Sequence, residues 1–456
     1  MKAVQPKYGV GMTICACLWL GLFPLLQGGT YATLTRDKWV IMLILTGLTL
    51  LCFITDLMIR RRVILNEVKD LPPRSFLPLV FATALFLWTV LSCLCSSYGP
   101  ETWWRGETAR YEGLLSQLCY FILFACFFFS RVNLKPVLLS AAAGIAVFFV
   151  IVLLQRGGGN PLGLYPTGRS YALNPEFQGT IGNIDMGTGY LLLLAGLFLY
   201  GIIGSIHSHI ILKHKAESPA LSSRPKRRDL LTKVLYFSFI SIALLLTLYL
   251  ILTMDVQFGV ISLAVLFFVT LLRFIPKKLR LPLLILVIVL ALLVVWFWPG
   301  QSGGVWELHE IFHGRGRLSF GSNRVAVWLY SLRLSVESPF LGGGSGTFVS
   351  RFNHYLADNG LVIPKEQGGL ALPDYFDTPH NEYIAQLTDH GLPALFLFLA
   401  LFLVAIFRRR DRGLPLLTPC SAAVLCYAVQ AFFSFSVCIV APMFWVVLAL
   451  AAQDNS

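Results

Sequence analysis

The chain has 456 residues, of which 56% are hydrophobic and 13% charged, with a formal net charge of +13 and a mean hydropathy of +0.72. A soluble globular protein carries about 25% charged residues, so that class is excluded. The apolar residues gather in runs long enough to cross a bilayer, which takes roughly 20 residues per helix.

In chain order, apolar runs lie near 9–28, 38–58, 76–97, 113–130, 136–155, 184–206, 233–252, 259–275, 281–298, 388–407, 415–435 and 438–452. They predict an all-α integral membrane protein with about twelve transmembrane helices. Spans one to nine occupy residues 1–298. A large extracytoplasmic segment follows at 299–387, and spans ten to twelve close the chain at 388–456. The first run follows Lys2 and Lys7, lacks a clean small-x-small cleavage site and is soon followed by another span, so it reads as an anchor rather than a cleaved signal. With the N-terminus inside, 24 of the 36 basic residues fall in cytoplasmic loops, against 7 of the 23 acidic ones. Lys and Arg concentrate on the cytoplasmic side of membrane proteins. The expectation is therefore a multi-pass protein of the cytoplasmic membrane with both termini in the cytoplasm. The basic run Arg224-Pro225-Lys226-Arg227-Arg228 fits this rule, and no nucleic-acid partner is implied.

The ten cysteines lie in or near spans, and none lies in the 299–387 segment, so no disulfide framework or metal site is expected. Cys93 and Cys95 point about 200° apart on a helix and cannot share a metal. His207, His209 and His214 sit in a basic cytoplasmic loop.

Four segments carry the outside charges: 98–113, 156–183, 253–258 and 299–387. A stretch of this last length inside a compact protein is usually functional. Within it, 322–338 reads as an amphipathic helix capped by Ser322 or Asn323, with Val325, Trp328, Leu329, Leu332 and Val336 as its apolar face, and Pro339 ends it. The run Gly342-Gly343-Gly344-Ser345-Gly346 allows left-handed backbone and close approach; its N–H groups are candidate anion ligands, though no Walker signature follows. The segment ends in Asp377-Thr378-Pro379-His380-Asn381-Glu382-Tyr383, which places an imidazole, an amide and carboxylates at a bilayer boundary, where such groups are costly unless functional.

These elements together resemble the O-antigen ligase and Wzy-type polymerase superfamily. The resemblance is carried by Arg110-Tyr111-Glu112-Gly113, by Gly179-Thr180-Ile181-Gly182-Asn183, by Ser322-Asn323-Arg324 with Trp328 leading to the glycine run, and by His380-Asn381-Glu382-Tyr383 leading to Gly391-Leu392-Pro393. It implies a membrane glycosyltransferase that passes a glycan from a polyprenyl-diphosphate donor to an acceptor hydroxyl on a glycan, lipid or protein, at the outer face of the cytoplasmic membrane. Such enzymes look metal-independent and cofactor-free. The sequence departs from the family where many members carry an arginine near a middle span; here the stretch reads Thr253-Met254-Asp255-Val256-Gln257-Phe258-Gly259.

The residues themselves support that chemistry. Transfer from a diphosphate needs cations on the leaving group and a base on the acceptor hydroxyl. A planar guanidinium suits phosphate, and Arg324, Arg110 and Arg105 are the candidates, with a salt bridge to Glu107 or Glu112 as the alternative for Arg110. His380 is the candidate general base, because an imidazole titrates near neutrality; the alternative is a histidine held at a helix cap by Asp377 or Glu382. Asp377 is a candidate to orient the ring. Asn381 and Glu382 complete the expected substrate-binding set, and His390 reads as packing. Aromatic residues of the outside loops fit a membrane-interface belt better than sugar stacking. Two rival functions stay open from sequence: a transporter or flippase of a lipid-linked substrate, and an inactive scaffold homologue.

Overall fold

The computed structural model describes residues 9–67, 76–107, 110–216, 227–363, 376–407, 417–435 and 437–453, with side chains except within 60–67, 207–216 and 227–230. Most of the basic stretches that set the expected orientation, and His207, His209 and His214, lie outside the described side chains.

Helices occupy all twelve expected positions. Seven are long and apolar enough to cross a membrane: α2 (Leu34–Glu67, apolar over Leu34–Ile59), α3 (Leu77–Leu94), α6 (Leu134–Arg156), α7 (Ile184–Ala216), α8 (Arg227–Thr253), α10 (Lys277–Trp296) and α14 (Glu382–Phe407). Five shorter apolar helices lie at the remaining positions: α1 (Val10–Cys17, continued to Leu25), α5 (Leu114–Phe129), α9 (Gln257–Leu272), α15 (Pro419–Ala431) and α16 (Ala441–Ala452). The architecture is thus an all-α membrane protein; the count of twelve crossings is still an expectation from sequence, since these five are individually short. Pro24 contributes to one of these limits. Beyond Cys17 the helix loosens into a π turn, Leu18–Leu22, then tightens into a 3₁₀ turn, Phe23–Leu25. The carbonyls of Phe23 and Pro24 are bound by Lys38 Nζ at 2.7 and 2.8 Å. Lys38 is fully buried, and these bonds satisfy its charge where an unpaired ammonium would be very costly.

One extended core joins α1 to α3, α5 to α9 and α14 to α16, and leaves out the one-turn helix α4 (Pro100–Trp103). In contrast, no residue of α10 is buried. The 299–387 segment contributes α11 (Gly304–Phe312), α12 (Arg324–Glu337) and α13 (Phe348–Asp358), and α12 and α13 share a small core built on Val327, Tyr330, Leu334, Phe348 and Phe352. Among the described residues the only sheet is a hairpin pairing Phe177–Gln178 with Gly182–Asn183. It leads straight into α7.

α12 forms where the pattern predicts, but it packs through a different stripe. Ala326, Val327, Tyr330 and Leu334 are buried, while Leu332 is 44% and Val336 74% exposed. The helix carries two apolar stripes at helical spacing, and the one holding a tyrosine meets α13. Leu329, Leu332 and Val336 of the other stripe are left exposed by their own chain, as suits a helix at a membrane boundary. The expected cap is also absent. Ser322 and Asn323 both adopt left-handed backbone, with φ of 54° and 67°, and Asn323 makes no side-chain cap bond.

Candidate functional site

Four segments predicted to share the outer side do touch one another. Glu107 N–H donates to Gly346 O at 2.9 Å, Arg110 pairs with Asp377, Arg156 reaches Thr253, and Arg324 lies over Phe258. Backbone strain marks the same segments. Among the described residues the non-glycine positions with positive φ are Tyr111, Asp255, Ser322, Asn323 and His380, each from one of these four. Strained backbone of this kind costs roughly 1–3 kcal/mol per residue and gathers at functional sites.

His380 stands just outside the N-terminus of α14. Its backbone N–H donates to Thr378 Oγ1 at 3.0 Å and its Nδ1 lies 3.1 Å from Thr378 O. With Nδ1–H donating to that carbonyl, Nε2 is left as the basic nitrogen, and it has no hydrogen bond among the described residues. The ring packs edge-on against Phe435 at 4.7 Å and near Phe376 at 6.3 Å. Burial, then the Arg324 cation, pushes its pKa down to about 4, so the ring is neutral at pH 7.

The capping alternative for His380 is not what the structure contains. Asn381 does that work: its Oδ1 accepts from the N–H groups of Tyr383 and Ile384, both at 3.0 Å, and it is 1% exposed. An amide at an N-cap satisfies otherwise orphaned helix donors. Asn381 therefore spends its acceptor on the helix. Asp377 does not orient the ring; its carboxylate binds Arg110 Nε, and the carbonyl of Thr378 takes the ring instead. Nor does Arg110 pair with Glu107 or Glu112. Its guanidinium lies 4.4 Å from the Phe435 ring centre, so Phe435 is held between Arg110 and His380.

Arg324 opens α12. Trp328, one turn later, donates to Pro379 O at 2.9 Å and so ties this helix to the His380 loop. The guanidinium is lightly engaged: Nη2 is 3.4 Å from Asp185 Oδ2, Nη1 is 3.3 Å from Gly321 O, and Nε is buried with no hydrogen bond. Arg156 is its opposite. It makes four bonds of 2.8–3.1 Å to Gln178 and Thr253 and so occupies the stretch where the middle-span arginine is lacking. Arg105 is exposed and among the described residues no side-chain partner joins it to the site; its backbone carbonyl accepts from Gly113 at 3.1 Å.

Glu382, the first residue of α14, accepts from Tyr427 Oη at 2.6 Å. The same helix breaks at Gly391, where φ is 81° and ψ −179°. Pro393 has no N–H to offer the Asp389 carbonyl four residues back. Ser92 Oγ and Gly344 N–H bind that carbonyl at 2.9 and 2.8 Å. Trp88 Nε1 donates to His390 O at 3.0 Å, while Gly343 N–H and Arg351 Nη1 bind Thr388 O at 3.1 and 2.6 Å. The glycine run thus spends these two N–H groups on a broken helix, not on an anion. A Cβ on Gly391 would lie 2.0 Å from Phe340 O, and one on Gly342 would lie 2.4 Å from the Asp389 carbonyl carbon; the two glycines are what let the strands of backbone meet. His390, as expected, is packing: its ring nitrogens lie 2.9 Å from Ser345 Oγ and 3.1 Å from Gln386 Oε1.

Residues 240–399 match the family model described as O-antigen ligase. This segment belongs to the O-antigen ligase and Wzy-type superfamily. No curated protein matches the chain. The matched segment holds Arg324, the glycine run, His380 and the helix break, which are the parts just described as one connected structure. The O-antigen ligase match supports ligase- or polymerase-like glycosyl transfer in general, on lipid-linked glycan and acceptor substrates in a membrane. Asp185 and Phe435 lie beyond the match and were not singled out in the sequence. Only their contacts across more than 50 residues, with Arg324 and with His380, reveal them.

Proposed function

We propose that the protein transfers a glycan from a polyprenyl-diphosphate donor to an acceptor hydroxyl at the outer face of the cytoplasmic membrane. His380 is the general base and Arg324 a ligand of the leaving diphosphate. The observation that carries this is the pairing of an imidazole with one nitrogen pinned and the other open with a guanidinium whose contacts are long and incomplete. A base must be neutral before it can take a proton, and Nε2 is the free lone pair. A guanidinium not yet committed has hydrogen bonds left for phosphate oxygens, and preorganised cations stabilise a leaving group as its charge develops. Donor binding would offset the Arg324 charge that helps depress the imidazole, and so strengthen the base when it is needed.

Glycan transfer and donor affinity, measured on purified His380→Ala in nanodiscs, test this. General-base help is worth about 10²–10⁴-fold, so turnover should fall on that order with donor affinity near normal. Transfer at the wild-type rate across pH 6–8 removes His380 from the chemistry, and loss of donor binding moves it to the phosphate site. The outer-face assignment is tested at position 365, outside the described residues: a cysteine there should react with an impermeant thiol reagent in spheroplasts, and protection until lysis reverses the orientation.

A further inference from the structure

Beside the His380 loop lies an open cleft, whose lining includes Thr378 and Pro379 but not Arg324. Its charge is the reverse of what a diphosphate requires. Arg110 is the one arginine or lysine in the wall, and it is already neutralised by Asp377. Glu112, Glu382 and Asp389 also line it, and among the described residues none has an ion-pair partner. Glu112 and Glu382 each accept a tyrosine hydroxyl, from Tyr120 at 2.7 Å and Tyr427 at 2.6 Å. Asp389 goes further: its Oδ1 is out of solvent and has no hydrogen bond at all. A buried acceptor without a donor costs about 1–3 kcal/mol, and Asp389 is itself part of the cleft wall. Burial holds the Glu112 carboxyl up at about 8, even with Arg110 near it. Between these groups stand the Tyr427–Phe444 and Tyr120–Trp445 ring stacks.

We propose that this cleft is a sugar subsite that takes non-acidic glycan units, those bearing hydroxyl or ammonium groups, and rejects units bearing carboxylate or phosphate. Hydroxyl and ammonium donors satisfy the idle carboxyl oxygens, and a bound ammonium favours the ionised form of the carboxyls beside it. Apolar ring edges suit the C–H faces of a sugar. An anionic unit would be stripped of water with no uncommitted cation to pair it. Cation and carboxyls are thus divided between two sides of the His380 loop, the Arg324 side for phosphate and this cleft for sugar. The inference rests on the glycosyl-transfer proposal for its biological sense, but its test does not require transfer.

Binding of three trisaccharides to the purified protein in nanodiscs is measured by calorimetry: glucosamine trimer, N-acetylglucosamine trimer and galacturonic acid trimer. The cationic trimer is expected to bind at least about tenfold tighter than the acidic one, a difference of about 1.4 kcal/mol, with the neutral trimer between. Glu382→Gln and Asp389→Asn should each shrink that gap to about threefold or less. Ala385→Phe, placed on the cleft wall, should abolish binding of all three and decides the matter should either carboxyl variant fail to fold. An equal or reversed order, a gap unchanged in the variants, or no binding by any trimer overturns the subsite. The order is expected to persist in His380→Ala. If it does while transfer proves independent of His380, the subsite stands and the catalytic assignment falls; the converse result separates them the other way.

Discussion

His380 and His390 sit ten residues apart, at the start of α14 and at its break, and they are opposite in kind. At His390 both ring nitrogens have partners, and the surrounding carbonyls of Thr388, Asp389 and His390 are all bound by groups from elsewhere. At His380 one nitrogen is tied and one is open. The arginines divide the same way, Arg156 saturated and Arg324 barely engaged. A polar group in a membrane protein must be satisfied or be used. The saturated set builds the frame; the unsaturated set is where a substrate's hydrogen bonds can go.

The sharpest way to break that comparison is at the open histidine. His380→Gln keeps a hydrogen-bonding group but cannot take a proton, so it should be as damaged as His380→Ala, about 10²–10⁴-fold in turnover; a glutamine enzyme that works normally would make the ring a positioning group. Next comes Arg324. Arg324→Lys keeps the charge but loses the fork, and about 10–100-fold should be lost from kcat/KM at limiting donor, the worth of one or two charge-assisted hydrogen bonds. Arg324→Ala should lose more, at unchanged expression. Full activity of the lysine variant at limiting donor would refute bidentate binding.

A smaller effect is in the pH profile. With its pKa pushed down to about 4, His380 is the neutral base throughout the physiological range, and kcat/KM should fall only as pH drops toward 4. Removing the Arg324 cation raises that pKa toward its ordinary value, so the acid limb of residual activity in Arg324→Ala should move to higher pH. An acid limb near 6.5 in the wild type, unmoved in the variant, would contradict the burial seen here. The smallest effect is predicted in the frame. Trp88→Phe removes the donor to His390 O and Phe340 O and should cost about 1–2 kcal/mol of stability, read as a lower melting temperature, with turnover per folded molecule nearly intact.

Much of the frame was legible in the sequence because it is local. Apolar runs find helices, Pro339 marks an end, and 322–338 has helical spacing whatever it packs on. The site was legible only in part. His380 and Arg324 could be named from motif and chemistry, but what each one touches is set by residues far away in sequence. Arg110 meets Asp377 across 267 positions, and Arg324 meets Asp185 across 139. No spacing rule reports such pairs. The glycine run misled for a related reason: glycines that admit a ligand and glycines that admit another stretch of backbone read the same in one dimension. Asn381 is ambiguous because an N-cap and a substrate ligand call for the same amide.

The break in α14 has a consequence for how the protein is made. The carbonyls it exposes are covered by Trp88 and Ser92, synthesised some three hundred residues earlier, and by Gly343 and Gly344, which lie on the other side of His380. Until α3 and the glycine run are both in place, a kinked segment would leave bare carbonyls in hydrocarbon, each costing several kcal/mol. The kink is therefore a property of the assembled bundle, acquired after insertion. Maturation of the site waits on the docking of that helix.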